Sequence, residues 1–204
     1  MLMAPFNFNW YGYRFQKGLT DIRRAYDATI AALEKQHENA QSEMLKLQRA
    51  VAAGELDPTE YDGDGEPLYA KEQYQEIVIE DAAATIPIAR RSYVVVIHHY
   101  WERNCDQWMQ RKKAYSPEAA YTWLEERGIS VDRDNLEFLR LASNTIKHNS
   151  PKLAEKNPAL FQISDSVIEK PHYHDALRLQ EIHIDRMFDA VGQSGLQVDT
   201  PGIF

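Results

Sequence analysis

Cysteine and long hydrophobic runs are what this sequence lacks most clearly. Cys105 is the only cysteine, which excludes an intrachain disulfide framework and a cysteine-based zinc site and fits a reducing compartment. No stretch approaches the roughly 20 apolar residues that a membrane helix needs, and residues 1–10 have neither the basic nor the apolar segment of an export signal. We therefore expect a cytoplasmic protein with no membrane segment.

Positive charge is also scarce. The chain has 23 Lys and Arg residues against 31 Asp and Glu residues, and its net charge of −8 repels nucleic-acid phosphates on average. RNA binding would therefore require a local basic patch. The densest one combines Arg103 with Arg111, Lys112 and Lys113, although charges at the end of a helix commonly serve only to complement its dipole.

Apolar residues recur at helical spacing along most of the chain. Hydrophobic residues make up 44% of the composition, which suffices for the core of a single domain spanning 1–204. Start and stop residues divide the pattern into five predicted helices, which cover 19–51, 71–113, 116–128, 132–150 and 174–191. The sequence therefore predicts the all-α class, as a helical bundle of about five helices with one long N-terminal helix.

Three segments lie outside these helices. Glycine, proline and acidic residues predict a solvated acidic loop at 54–70. Residues 161–168 alternate loosely between apolar and polar, as a short extended segment would. Glycines close to the end predict a flexible tail at 193–204, so that the core covers about 19–192.

The N-terminal helix is long for a domain of this size. At about 1.5 Å per residue, the stretch 19–51 extends roughly 50 Å, which exceeds the expected width of such a domain. A helix of this length kinks, protrudes or pairs with another chain. We expect pairing, and therefore a homodimer formed through the long helices.

Polar residues suited to phosphate chemistry follow one face of the fourth predicted helix. Arg140, Asn144 and His148 are spaced four residues apart, and Lys147 precedes His148. A histidine moves a proton near neutral pH, an amide orients a phosphate oxygen, and a cation neutralises charge that develops on phosphorus. This row is the candidate functional site of the sequence.

The same residues also have a purely structural interpretation. Lys147 and His148 lie in the last turn of the helix, where positive side chains complement the dipole, and Asn149 is a common residue at a helix C-terminus. From the residues alone, both interpretations stay open.

The fourth helix resembles a motif of the HEPN superfamily, whose members are helical bundles that carry a pattern like Arg-Asn-x-x-x-His in a late helix. The matching residues are Ser143-Asn144-Thr145-Ile146-Lys147-His148, and the preceding helix contributes the similar segment Tyr100-Trp101-Glu102-Arg103-Asn104-Cys105. The resemblance covers roughly Ile86 to Asn149. It implies a HEPN-like fold and a composite site formed by the motifs of two subunits.

In active HEPN proteins this site is a metal-independent ribonuclease, often in toxins or antiviral effectors. The resemblance implies that His148 is the catalytic histidine and Asn144 its polar partner. Ser143 replaces the arginine of the family, so that Lys147 or Arg140 would have to supply the charge. Two functions follow: a ribonuclease-type effector of a toxin or phage-defence system, or a non-catalytic dimeric module that binds a protein or nucleotide partner.

A looser match to the same spacing lies in the second predicted helix. Arg91 is followed by His98 after six residues, and the two share a helix face. Such a pair could contact the residues of the candidate site and hold them in position. The apolar run Val94 to Ile97 favours a buried structural histidine instead.

Other chemistry is weakly indicated. Glu60, Asp62 and Asp64 imitate the first half of a calcium loop, but Lys71 occupies the position of the required bidentate glutamate. His172, His174 and His183 are close in sequence but show no carboxylate at a familiar ligand spacing. Cys105 lies among tryptophans, which favours a core position. The sequence therefore predicts no metal and no cofactor.

Overall fold

The structure is a computed structural model that describes residues 8–110, 115–163 and 172–200. Within these ranges the chain is mostly helical, which confirms the all-α class. The helices are α1 (Trp10–Ala52), α2 (Lys71–Met109), α3 (Pro117–Glu125), α4 (Arg133–His148), α5 (Lys152–Lys156), α6 (Tyr173–Ala176) and α7 (Glu181–Ser194), with a 3₁₀ turn at Pro158–Leu160. Strands β1 (Thr59–Tyr61) and β2 (Pro67–Ala70) complete the described elements.

All five predicted helices are present as α1, α2, α3, α4 and α7, with shifted ends. The two additional helices, α5 and α6, have five and four residues, which is too short for a periodic pattern. The last predicted helix begins at Glu181 instead of 174, because Leu177 adopts an extended conformation and forms a β-bridge with Phe161. Of the predicted extended segment, Phe161 forms this bridge, and residues 164–168 lie outside the described residues.

The described residues form two compact units, where the sequence predicts one domain. One unit covers Asp27–Ala89, and the other combines the described parts of Met1–Tyr26 and Arg90–Phe204. The smaller unit buries Ile30, Ala40 and Met44. All the predicted site residues belong to the larger unit.

The predicted acidic loop of the smaller unit contains an antiparallel hairpin of β1 and β2. Asp62 Oδ1 accepts hydrogen bonds from the backbone N–H groups of Asp64 and Glu66, both at 2.9 Å, which closes the turn. Glu60 forms an ion pair with Lys71 at 3.2 Å. These carboxylates therefore stabilise the hairpin, in the segment that imitates a calcium loop.

The core of the larger unit is built around aromatic rings from α1 and α2. Phe15 stacks on Tyr100 with centroids 5.5 Å apart and meets Trp108 edge-on at 4.9 Å. Trp101 and Trp108 are also in edge-on contact, at 6.2 Å. Helices α4 and α7 add buried aliphatic side chains, which are Leu136, Leu139, Leu141, Ile184, Met187 and Val191.

The C-terminal segment packs against the start of α1, although the sequence predicts a flexible tail from 193. Leu196 is fully buried, and Asn9 donates a backbone hydrogen bond to the Val198 carbonyl at 2.7 Å. Gln16 Nε2 also donates to the Leu196 carbonyl, at 3.1 Å. Because α1 begins at Trp10, nine residues before the predicted start, its first turns provide the surface for this segment.

Replacing Gly12 with alanine is expected to destabilise the larger unit. A Cβ atom at Gly12 would lie 2.1 Å from the backbone oxygen of Gln197, which a side-chain rotation cannot relieve. We expect a loss of about 1–3 kcal/mol in the free energy of unfolding, measured by urea denaturation. Gly63→Ala is the matched control, because a Cβ atom there meets no neighbour within 4 Å. Equal stability of the two variants would contradict the packing of the C-terminal segment.

Candidate functional site

Hydrogen bonds with the flanking residues Asp132 and Asn149 cap the two ends of α4. Asp132 accepts a hydrogen bond from the Asn135 backbone at 3.2 Å, and its own N–H donates to Ser194 Oγ at 2.8 Å. Asn149 adopts the left-handed conformation with φ 53° and donates its N–H to the Thr145 carbonyl, which ends the helix. These caps fix the last turn of α4, where the candidate residues lie.

Three candidate residues line the C-terminal edge of α4. Lys147 and His148 are exposed, and Asn144 is half-buried. Within the described part of the chain, none of these three side chains forms a hydrogen bond or an ion pair. An amide, an ammonium group and an imidazole are therefore available to a ligand at one edge of the helix.

Arg140, the first residue of the row, is already neutralised. Its guanidinium forms two hydrogen bonds to Glu137, at 2.7 and 2.8 Å, and the carboxyl of Glu137 raises the pKa of Arg140. Glu137 also forms an ion pair with Lys156, with Nζ and Oε1 3.5 Å apart. Lys147 thus carries the unpaired positive charge of the row.

Ser143 faces the core and not the exposed edge. Its side chain is fully buried, and its hydroxyl has no hydrogen-bond partner among the described residues. An arginine at this position would bury a guanidinium next to apolar side chains, which is costly without a partner. The serine is therefore compatible with the packing of α4 where the HEPN motif has arginine.

His98 of α2 lies close to the row. It is 3% exposed, and its Nδ1 atom lies 3.4 Å from Glu102 Oε2 without a hydrogen bond among the described residues. Burial, together with the positive charges of Lys147 and Arg140, lowers the pKa of His98 to about 4. The interpretation of His98 as a buried histidine is therefore confirmed.

Arg91 is the other residue of the looser match, and it is half-buried on α2. The charges that lower the pKa of His98 include those of Lys147 and Arg140 on α4, and Arg91 is not among the groups that act on it. The electrostatic link to α4 is therefore seen for His98.

The low pKa of His98 makes the stability depend on pH. An unfolded histidine takes up a proton near pH 6.5, whereas folded His98 does so only near pH 4, so the unfolded state binds more protons between these values. Stability is therefore full above about pH 6.5 and falls as the pH approaches 4, by at most about 3 kcal/mol. In urea denaturation, His98→Gln should flatten this profile and His99→Gln should not. An unchanged profile in His98→Gln would contradict the buried, neutral state of the ring.

The remaining sequence candidates are a cysteine and a basic patch. Cys105 is a core residue, and burial raises the pKa of its thiol well above the ordinary value, which makes it unreactive. Arg103 is exposed on α2. The other members of the predicted basic patch, at 111–113, lie outside the described residues.

The three histidines of the C-terminal region separate into two groups. His183 Nδ1 accepts the backbone N–H of Gln180 at 3.0 Å, which caps the start of α7. His172 and His174 lie together at α6, with ring centroids 5.7 Å apart. Asp175, which the sequence-based search overlooked, has a carboxylate oxygen 3.1 Å from His174 Nε2. Among the described residues, the side chains that could bind a metal ion together are those of His172, His174 and Asp175.

Comparison of the chain with protein-family models, with curated proteins and with solved structures finds no match in any of the three. Among the described residues, no helix combines the length and the apolar character that crossing a bilayer would require.

Proposed function

We propose that this protein is a HEPN-like, metal-independent endoribonuclease that acts as a homodimer. The observation that carries the proposal is the exposed edge of α4, where Asn144, Lys147 and His148 have no polar partner among the described residues. Side chains that serve only to cap a helix would bind its carbonyl groups, and here Asn149 performs the capping.

The chemistry of RNA cleavage matches these side chains. The ribose 2′-oxygen attacks the adjacent phosphorus and the bond to the 5′-oxygen breaks, which leaves a 2′,3′-cyclic phosphate and a 5′-hydroxyl. The 2′-hydroxyl must lose a proton and the departing 5′-oxygen must gain one, and a histidine performs either transfer near neutral pH. His148 supplies one such group per chain, and in the proposed dimer the second copy supplies the other.

Lys147 and Asn144 act on the phosphate. The attacked phosphate gains negative charge, and the carbonyl end of α4 repels that charge, so a cation is required at this edge. Lys147 supplies it, and the amide of Asn144 donates a hydrogen bond to a non-bridging oxygen or to His148. Cleavage of cellular or phage RNA by such a site would suit a toxin or an antiviral effector.

A specific observation favours the second candidate function, a non-catalytic module that binds a protein or a nucleotide. Arg140 is held by Glu137, and Ser143 is buried, so each copy of the row presents one unpaired cation. One ammonium group lacks the two-pronged geometry with which arginine binds a phosphate. A binding role requires no charge stabilisation at phosphorus and is compatible with this arrangement.

The proposed chemistry is tested with an RNA oligonucleotide and a DNA oligonucleotide of the same sequence in EDTA. The RNA should be cut to fragments with 2′,3′-cyclic phosphate ends, and the DNA should stay intact because it lacks the attacking hydroxyl. Cleavage of both strands, or cleavage only after Mg²⁺ is added, would contradict the proposal. Binding of the RNA without cleavage would favour the second candidate.

A further inference from the structure

Two histidines and one aspartate meet at the start of α6. His172 is the residue before the helix, and His174 and Asp175 belong to it. One ligand atom from each of these side chains lies within 4.8 Å of the other two. The rings of His172 and His174 are nearly perpendicular, at 88°, with centroids 5.7 Å apart.

The side chain of Asn149 determines which nitrogen of His174 is free. Asn149 Oδ1 lies 3.2 Å from the backbone nitrogen of His174 and 3.2 Å from its Nδ1 atom. The backbone N–H can only donate, which identifies the shared atom of Asn149 as oxygen. Nδ1 therefore carries a hydrogen, and in the neutral ring the lone pair is on Nε2.

This lone pair faces a second acceptor. His174 Nε2 lies 3.1 Å from Asp175 Oδ2, and two acceptor atoms at that distance repel each other unless a proton or a cation lies between them. The hydrogen bond from Nδ1 to an amide oxygen is also the support that histidine ligands of metal ions usually receive. The arrangement around His174 is thus that of a metal ligand and its supporting residue.

We propose that His172, His174 and Asp175 bind a divalent transition-metal ion, and that Zn²⁺ is the ion that fits. Zinc takes imidazole nitrogen and carboxylate oxygen at about 2.0–2.2 Å in tetrahedral geometry, with water in a fourth position when the protein gives three ligands. Because His172 and Asp175 are exposed, their side chains rotate freely enough to bring the three atoms to that spacing.

The site lies at the end of α4 that carries the proposed ribonuclease residues. His174 is bound to Asn149, the residue that ends α4, and His148 directly precedes Asn149. Zinc at α6 would therefore hold α6 against the end of α4 and stabilise the folded state by mass action. The proposal does not depend on RNA cleavage, which is expected to proceed in EDTA.

Isothermal titration of ZnCl₂ into the full chain, without an affinity tag and after removal of metal, tests the site. We expect one Zn²⁺ per chain and a rise in the melting temperature. His172→Ala and the double variant His172→Ala/His174→Ala should lose this binding. His37→Ala should keep it, because His37 belongs to the other unit and contacts Gln41.

Asn149→Gly tests the supporting hydrogen bond separately. Glycine adopts the φ of 53° without strain, so the helix end is kept while the amide is removed. The affinity for Zn²⁺ should fall by about 10–100-fold. The melting temperature of each variant is first measured without zinc. His172→Ala is the decisive variant, because His172 is exposed and its removal should not disturb the fold. No binding by the wild type, or equal binding by His172→Ala and the wild type, would overturn the proposal.

Discussion

His148→Ala is expected to lower the rate of RNA cleavage by about 10²–10⁴-fold, the range by which a positioned acid or base accelerates a reaction. His148 is the imidazole of the α4 edge, and the ring of His98 is buried and has its pKa lowered to about 4. His98 can therefore not take over the proton transfer at neutral pH. The rate is measured with a fluorescently labelled RNA oligonucleotide in EDTA.

The control for this prediction is His37→Ala, an exchange of the same kind in the other unit. It should cleave RNA at the wild-type rate. Both variants should melt like the wild type, since His148 is exposed and without an internal partner in the described residues. A contaminating ribonuclease would cleave equally in every preparation. Equal rates in His148→Ala and the wild type would therefore remove His148 from the mechanism.

Phe15→Ala is expected to reduce the free energy of unfolding by about 3–5 kcal/mol. The ring is fully buried and contacts Tyr100 and Trp108 with centroids 5.5 and 4.9 Å away. Its removal leaves a cavity beside large rigid rings that fill it poorly. Gly195 lies on the other side, where a Cβ atom would come within 1.9 Å of the ring. Urea denaturation followed by tryptophan fluorescence measures the loss.

Tyr13→Ala is the matched control, because Tyr13 lies on the same helix and is 40% exposed. Its loss should stay within about 0.5 kcal/mol, as for most surface substitutions. A similar small loss in Phe15→Ala would mean that the aromatic cluster of α1 and α2 is not the core of the larger unit.

The helices of this protein could largely be predicted from local sequence. The caps of α4 show why: Asp132 and Asn149 act on neighbours within four residues, so their chemistry is visible in the sequence. Local sequence does not predict the start of α1, because the residues that stabilise it are distant in sequence. Gly12 and Gly18 disfavour a helix locally, and they are tolerated because Gln197 and the ring of Tyr100 pack closely against them.

The candidate site was only partly predictable. The row on α4 follows from helical spacing, and Arg140, Asn144 and His148 all lie within this one helix. The pairing of Arg140 with Glu137, three residues earlier, has a signal in the sequence and could have been predicted. The cluster at α6 could not be predicted from local sequence. Asn149, which is 25 positions away, orients the ring of His174, and that orientation places Nε2 of the ring next to the carboxylate of Asp175.

The proposed dimer has a direct consequence for the mechanism. A single row offers one imidazole and one unpaired ammonium group, whereas strand cleavage requires both a base and an acid. The net charge of −8 further requires that phosphate be attracted by a local concentration of cations. Two copies of Lys147 and His148 would meet both requirements at one cleft.

Incubation of purified wild-type protein with total RNA in EDTA, followed by gel analysis, tests the proposed ribonuclease most directly. We expect fragments in the wild-type lane and intact RNA in the His148→Ala lane. Intact RNA in both lanes would contradict the proposed ribonuclease activity, and the α4 edge would then be a binding surface for a protein or nucleotide.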